Sequence, residues 1–157
     1  EAIGAMGRDI QGNNPGSLAW PTANLALGFW FTLEQQTVFN CFFVANGATV
    51  SGNFDISVYD ENFVELFSTG STAQSGTSAN QSVAQTFSLP PGLYYCALAF
   101  SNTTATAQAK SAAAAAAPAS HGFVQMSSAF PLPSTLVPEL YGTTVVPLFG
   151  ISQKASV

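Results

Sequence analysis

The segment from Asn53 to Phe100 reads NFDISVYDENFVELFSTGSTAQSGTSANQSVAQTFSLPPGLYYCALAF, and its pattern is typical of β-strands. From Phe54 to Tyr59 one set of side chains is apolar and the alternate set is mainly polar, which is the period of a strand with one buried face. The turn residues Asp60-Glu61-Asn62 follow, and a second apolar run, Phe63 to Phe67, comes directly after them. The two runs are therefore predicted to pair as a hairpin.

The second half of this segment adds two more predicted strands. One run extends from Val83 to Leu89 and the other from Leu93 to Phe100, with the turn formers Pro90-Pro91-Gly92 between them. The strands of the segment are joined by turns and by one polar, low-complexity loop, and none of these connections has the pattern of a helix that would cross between parallel strands. An antiparallel sheet is therefore predicted to organise the rest of the chain.

Strand patterns also occur on both sides of this segment. Residues 25–33 (LALGFWFTL) and 37–45 (TVFNCFFVA) are aromatic and β-branched, which is typical of strands covered on both faces. Residues 121–126 and 143–151 predict the last strands, with Pro147 indicating an edge position or a bulge. The sequence thus predicts an all-β fold, an antiparallel β-sandwich of about eight strands.

The regions outside these strands predict the domain organisation. Residues 1–24, rich in Gly, Asn and Pro, are expected to form an irregular arm, and residues 25–157 a single domain. Within that domain, 102–119 is an alanine-rich connector in which 112–117 forms either a short helix or an extended segment. Three prolines make 130–142 a segment expected to wrap around the domain or its neighbours.

The composition excludes several classes of function. Only 7% of the 157 residues are charged and 47% are hydrophobic, and the formal net charge is −5. Three basic residues along the whole chain cannot neutralise a phosphate backbone, so no nucleic-acid partner is expected. No apolar run approaches the length of a membrane span, and an anionic membrane surface would repel the chain. The low charge suits a surface that other subunits cover.

Residues that carry chemistry are few. The single histidine, His121, rules out a metal site built on two histidines and is interpreted as a loop or strand-end residue. Half of the acidic residues lie close in sequence, at Asp55, Asp60, Glu61 and Glu65, and they are interpreted as solvated turn residues. A glycosidase pair or a calcium site would use the same carboxylates in another geometry. No catalytic, cofactor-binding or metal-binding residues are assigned, and no cofactor is expected.

The two cysteines and one long loop also give structural predictions. Cys41 and Cys96 each lie inside an apolar strand pattern, so we interpret them as buried free thiols, with a disulfide as the alternative if their strands are neighbours. The loop from Ser68 to Ser82 is low in complexity and is expected to be an exposed, mobile connection.

Several motifs resemble a known class of proteins. These motifs are ANGATVSGN at Ala45–Asn53, DISVYDENF at Asp55–Phe63, LPPGLYYCALA at Leu89–Ala99, FPLPSTL at Phe130–Leu136 and VPLFGI at Val146–Ile151. Together they are similar to a β-sandwich module of tailed-bacteriophage structural proteins, found in head-associated and tail-fibre-like chains. The resemblance covers most of the chain after about residue 29 and implies a jelly-roll-like layout without catalytic residues.

The resemblance implies two functions. The first is a capsid decoration (cement) protein on the virion surface, made in the host cytoplasm, which binds the major capsid protein and forms a homo-oligomer, most simply a trimer. The alternative is a glycan-binding module of a fibre or head spike that mediates host attachment. In that module the exposed aromatics Trp20, Tyr59, Tyr94 or Tyr141 would stack on sugar rings. Trp20 has two other roles open to it: it would anchor the N-terminal arm where the arm docks, or it would close the end of the chain's own core.

Overall fold

The computed structural model describes residues 2–4, 16–111, 123–139 and 142–157, and its regular elements in that part of the chain are all β-strands. The strands are β1 (Ala2–Gly4), β2 (Gly16–Ala19), β3 (Ala26–Leu33), β4 (Thr37–Ala45), β5 (Asn53–Tyr59), β6 (Glu65–Ser68), β7 (Thr72–Ala73), β8 (Asn80–Leu89), β9 (Gly92–Phe100), β10 (Thr106–Ser111), β11 (Phe123–Met126), β12 (Val145–Pro147) and β13 (Phe149–Ser152). Every strand pairing is antiparallel. The predicted all-β antiparallel fold is therefore confirmed.

The strands form three sheets. The large sheet has six strands in the order β11-β3-β9-β5-β6, with β7 also paired to β5. The small sheet has four strands in the order β1-β13-β4-β8, and the side sheet has three, β12-β10-β2. The chain passes from the large to the small sheet between β3 and β4 and again between β7 and β8, and it returns between β4 and β5 and between β8 and β9. The strand count exceeds the predicted eight, and the jelly-roll layout stays a prediction.

The core lies between the large and the small sheet. Alternate residues of β3, β5 and β9 point towards it and meet apolar side chains from β4, β8 and β13. Phe29 packs edge-on against Phe149 across the two sheets, with ring centroids 5.3 Å apart, and Phe67 stacks on Phe87 at 4.5 Å. Burying each such ring stabilises the fold by about 1.5–3 kcal/mol. The sheets are therefore packed as a β-sandwich.

The expectation of an irregular arm over residues 1–24 is wrong for residues 2–4 and 16–19, which are strands, whereas residues 20–24 are not part of a strand. Residues 2–4 pair with β13, and residues 16–19 form β2, which pairs with β10. Trp20 then follows as a core residue, because its indole N–H donates to Leu25 O at 2.9 Å and its ring packs 4.8 Å from Phe100. Strand formation here depends on a partner far along the chain, which overrides weak local propensity.

The loop between Ser68 and Ser82 is more ordered than its composition indicates. Residues 75–80 are exposed as predicted, but residues 72–73 pair with β5 as β7. Gln74 is buried and donates to Asn46 Oδ1 and to Thr106 O, both at 2.9 Å. Hydrogen bonds of a buried amide side chain thus hold this loop in place, where an apolar side chain would be the more usual anchor. The polar composition of the loop does not reveal this.

The last third of the chain combines strands and a crossing segment. Within the alanine-rich connector, residues 106–111 form β10, whereas 112–122, including the open choice at 112–117 and His121, lie outside the described residues. Pro147 ends β12, an edge strand of the side sheet, as its sequence indicates. No helix in the described ranges is long and apolar enough to span a membrane.

Candidate functional site

The outer face of the large sheet, turned away from the core, is the candidate functional region. Its residues alternate with the core residues of β3, β9 and β5. In strand register the rows are Ala26–Ala99–Asp55, Gly28–Ala97–Ser57 and Trp30–Tyr95–Tyr59. The first two rows contain only small side chains apart from Asp55, so a chain segment can approach the sheet closely there. The third row is aromatic throughout.

Residues 127–139, which we call the strap, cross this face. Their backbone hydrogen bonds to the sandwich run from Ala129 N to Asn24 O, from Glu65 N to Ser134 O, from Leu136 N to Phe63 O and from Glu139 N to Gln125 O. The strap buries Ala129, Leu132 and Leu136 against the small residues of the sheet. Its prolines have no N–H groups that need a partner, which suits a segment without a regular ladder.

Asp55 ties the centre of the strap to the sheet. Its side chain is 1% exposed, and Oδ2 accepts a hydrogen bond from the Leu132 N–H at 3.0 Å. Oδ1 accepts from the hydroxyls of Ser68 at 2.9 Å and Thr69 at 3.2 Å. A buried carboxylate is tolerated only when hydrogen bonds replace its hydration, and here three donors do so.

Three more groups complete a polar cluster, which we define as Asp55, Ser57, Tyr59 and Glu65. The Ser57 hydroxyl donates to Glu65 Oε1 at 2.8 Å, and the Tyr59 hydroxyl donates to Pro133 O at 2.9 Å. Burial raises the pKa of the Glu65 carboxyl; the Ser57 hydrogen bond opposes this shift, and the negative charge of Asp55 adds to it. Burial also raises the pKa of Tyr59, and the Glu65 charge adds to that shift.

The contacts of the polar cluster indicate what it does. Both carboxylates accept hydrogen bonds from the chain itself, and three members of the cluster bond directly to strap residues: Asp55 and Tyr59 through their side chains and Glu65 through its backbone N–H. The arrangement therefore anchors the strap. The interpretation of the acids as solvated turn residues suits Asp60, whose Oδ1 accepts from the backbone N–H groups of Asn62 and Val64. It is wrong for Asp55 and Glu65, which lie on β5 and β6 and accept hydrogen bonds from side chains of the sheet. Asp55 lies on the face of β5 that alternates away from the core, and the strap covers that face.

The aromatic end of the same face is open at β3, although Tyr59 in the same row is buried and bonded to the strap. Trp30 is 47% exposed on β3 and lies in register with Tyr95 on β9. Phe63 covers Tyr95 with ring centroids 4.3 Å apart and an interplanar angle of 33°. Thr32 is exposed two residues further along the same face of β3. We call Trp30, Tyr95 and Phe63 the aromatic run, and it offers a rigid apolar surface with a hydroxyl group beside it.

The structure places the predicted glycan-stacking residues elsewhere. Trp20, Tyr59 and Tyr94 are all buried, at 2%, 0% and 5% exposure, so none presents a ring face to a ligand. Tyr141 lies outside the described residues. Sequence reasoning missed Trp30, because the run LGFWFTL indicates a strand covered on both faces. One signal was available: Trp30 and the polar Thr32 alternate with the core residues of β3, which indicates that one face of the strand is open.

Both cysteines are buried free thiols in different sheets. Cys96 points into the core from β9, and burial raises its pKa. Cys41 lies on β4 and donates from Sγ to Lys154 O at 3.2 Å, and burial also raises its pKa. The disulfide alternative is not formed, and neither thiol is prepared for nucleophilic chemistry.

Among the described residues there is no group of three or more His, Cys, Asp or Glu side chains arranged to hold a metal ion. Comparison with known protein families, with curated proteins and with solved structures finds no match for this chain. The case for a function therefore depends on the surface described above and on the resemblance of the sequence motifs.

Proposed function

We propose that the protein is a non-enzymatic structural protein of a bacteriophage virion, a capsid decoration protein that binds the major capsid protein and stabilises the shell. The proposal begins from the resemblance of the sequence motifs. It is supported by an asymmetry in the surface of the sandwich, which makes one side the better docking side.

The asymmetry concerns exposed hydrophobic side chains. The described part of the chain has six large ones, namely Trp30, Val38, Val64, Leu66, Val137 and Val157. Four of these six belong to the large sheet, its hairpin or the strap, and Val64 and Val137 flank the hydrogen bond from Leu136 N to Phe63 O. Apolar side chains gathered on one side of a protein mark an interaction surface. The proposal depends on this concentration of exposed apolar side chains on the large sheet, its hairpin and the strap.

The charge of the chain fits the same role. With 7% charged residues, few ionic groups have to lose water when a subunit docks on a shell. We propose further that the protein acts as a symmetric homo-oligomer. Several copies held together bind a repeating lattice with much higher avidity than one copy does, so a modest contact per subunit is sufficient.

The location and copy number of the protein on purified particles test this function. A decoration protein is expected in roughly tens to hundreds of copies spread over the shell, as the symmetry of a shell requires. Shells without it should lose their contents at lower temperature or lower salt. A few copies confined to the tail would contradict the proposal.

Binding of the purified protein to bare shells tests the docking side. Val137→Asp places a charge on the strap and should weaken binding at least about tenfold. Val38→Asp is the matched control, because Val38 is 50% exposed on the small sheet and Val137 is 61% exposed on the strap. Equal effects of the two substitutions would contradict a docking site on the strap side.

A second candidate function, glycan binding, is favoured by the open ring of Trp30. A pyranose stacks its C–H groups on such a ring, while the Thr32 hydroxyl is placed to bond a sugar hydroxyl. A multivalent form of the protein on a glycan array should then give a signal that Trp30→Ala abolishes. No signal above background from the wild-type protein would exclude this candidate.

A further inference from the structure

The edge strand β8 differs from the other edge strands in the described part of the chain. It has ten residues, NQSVAQTFSL, and contains neither a charged residue nor a proline. The other edges are short: β1 and β12 have three residues each, and β2, β6 and β11 have four each. Pro147 ends β12, and strap residues bond to β6 and β11. Proteins protect open edges with short strands, charges, prolines or bulges, and residues 80–84 of β8 have none of these, since the bulge in its pairing with β4 lies beyond Ala84.

The hydrogen bonds around β4 show which groups of β8 face the open edge. Asn46 N–H donates to Ala79 O, and Ala45 N–H donates to Leu148 O on the opposite side. Bonding alternates along an antiparallel pair, so residues 79, 81 and 83 point their backbone groups towards β4. The N–H and C=O groups of Asn80, Ser82 and Ala84 therefore point to the open edge. Their side chains are small. Those of Asn80 and Ala84 are exposed, and the half-buried Ser82 hydroxyl accepts a hydrogen bond from Val157 N–H at 3.1 Å, which leaves the backbone groups of Ser82 at the edge.

We propose that this edge pairs antiparallel with β8 of a second copy of the chain, around a two-fold axis at Ser82. Ser82 would face Ser82 of the second copy, and Asn80 would face Ala84 on each side of the axis. Three such pairs form about six backbone hydrogen bonds. The two small sheets then become one continuous sheet across the dimer.

The occupant is a second copy because the edge is complementary to itself. Self-pairing places no two like charges opposite each other, since residues 80–84 are uncharged, and the facing side chains are short enough for close approach. The register of β8 on β4 shifts between Phe39 and Cys41, and this bulge confines the pairing to residues 80–84. The interface is small, so the dimer should form at micromolar rather than nanomolar concentration.

Two double variants that differ in one side chain test the pairing. In N80K/A84K, the lysine introduced at position 80 of one copy faces the lysine introduced at position 84 of the other, so two like-charge contacts oppose the dimer. In N80E/A84K, the same positions carry opposite charges and attract. Sedimentation velocity of the intact chain over about 1–200 μM, at low and at physiological salt, gives the dissociation constant of each.

We expect a wild-type dimer, at least about tenfold weaker association for N80K/A84K, and near wild-type association for N80E/A84K. Ala84→Pro removes one N–H that faces the open edge and leaves the ladder to β4 intact, so it should give a folded monomer. Circular dichroism confirms that each variant is folded. A wild-type monomer or trimer, or a dimer unaffected by N80K/A84K, would overturn the proposal. Since the shell contact is proposed at the strap, a monomeric variant should keep that contact and lose only the avidity that a second linked copy adds.

Discussion

The two ends of the outer face of the large sheet belong to the same strands but have opposite environments. At one end the strap covers Asp55, which is 1% exposed although it is a carboxylate. At the other end Trp30, an aromatic side chain, is 47% exposed. A carboxylate usually faces water and a large aromatic side chain usually lies in the core, so each residue is found in the environment that the other normally prefers.

This difference shows that a side chain on this face is buried where the strap covers it and exposed where the strap does not. It packs where the sheet has rows of alanine, glycine and serine, and hydrogen bonds from its backbone and to its carbonyl groups satisfy the polar cluster. It does not cover the side chain of Trp30. A covered face contributes to stability, and an open face is available for binding, so substitutions at the two ends should affect different properties.

The largest expected effect comes from Leu132→Ala at the covered end. Leu132 is 7% exposed and packs on the small residues of the sheet, so its truncation should lower the free energy of unfolding by about 3 kcal/mol. Denaturant unfolding measures the change. Val137→Ala, on the exposed part of the strap, is the matched control and should change stability by less than about 0.5 kcal/mol. Similar losses from both would mean that the strap does not bury this face.

Asp55→Asn should have the next largest effect, about 2 kcal/mol. The substitution keeps the volume but exchanges one acceptor for an N–H₂ group, which then faces the Leu132 N–H or the hydroxyls of Ser68 and Thr69. Asp60→Asn is the control, because an asparagine Oδ1 accepts the same two backbone N–H groups in the turn. If Asp55→Asn left the free energy of unfolding unchanged, this result would contradict the role of Asp55 as the central anchor.

Tyr59→Phe should cost about 1 kcal/mol through loss of the hydrogen bond to Pro133 O. Tyr94→Phe removes a comparable bond to Pro90 O outside the strap and should cost a similar amount. Amide hydrogen exchange separates the two, because only Tyr59→Phe should speed exchange at strap amides such as that of Leu132. Faster exchange at Leu132 in both variants would mean that the strap opens only with the whole domain.

The smallest expected effect is the pH dependence that Glu65 contributes. Since its folded pKa is raised, its contribution to stability is fully present below its ordinary pKa of 4.5 and is lost as the pH rises through the folded value. Glu65→Gln should therefore be more stable relative to wild type at pH 7 than at pH 4. Paired denaturation curves at the two pH values measure this. A stability difference between wild type and Glu65→Gln that is the same at both pH values would contradict this expectation. Glu61→Gln, which changes an exposed carboxylate, serves as the control.

Much of the fold was predictable because its signals are local. The predicted limits of β4 agree with the structure, and those of β3, β5 and β9 differ from it by one residue or none. The strands β1, β2, β7 and β10 were missed, because each forms only where a distant strand offers it hydrogen bonds. The candidate site was less predictable, since the residues proposed for stacking on sugars are mostly in the core.

The sequence by itself determined that this protein is built from antiparallel strands, because strand alternation and turn chemistry involve residues next to each other. Only the tertiary structure decided which faces of those strands are covered. The hydrogen bond between Leu132 and Asp55 joins residues 77 positions apart, and nothing in the local pattern around either one encodes it. The strap therefore converts an outward-facing carboxylate into a buried anchor and leaves Trp30, two rows away on the same face, open to a partner.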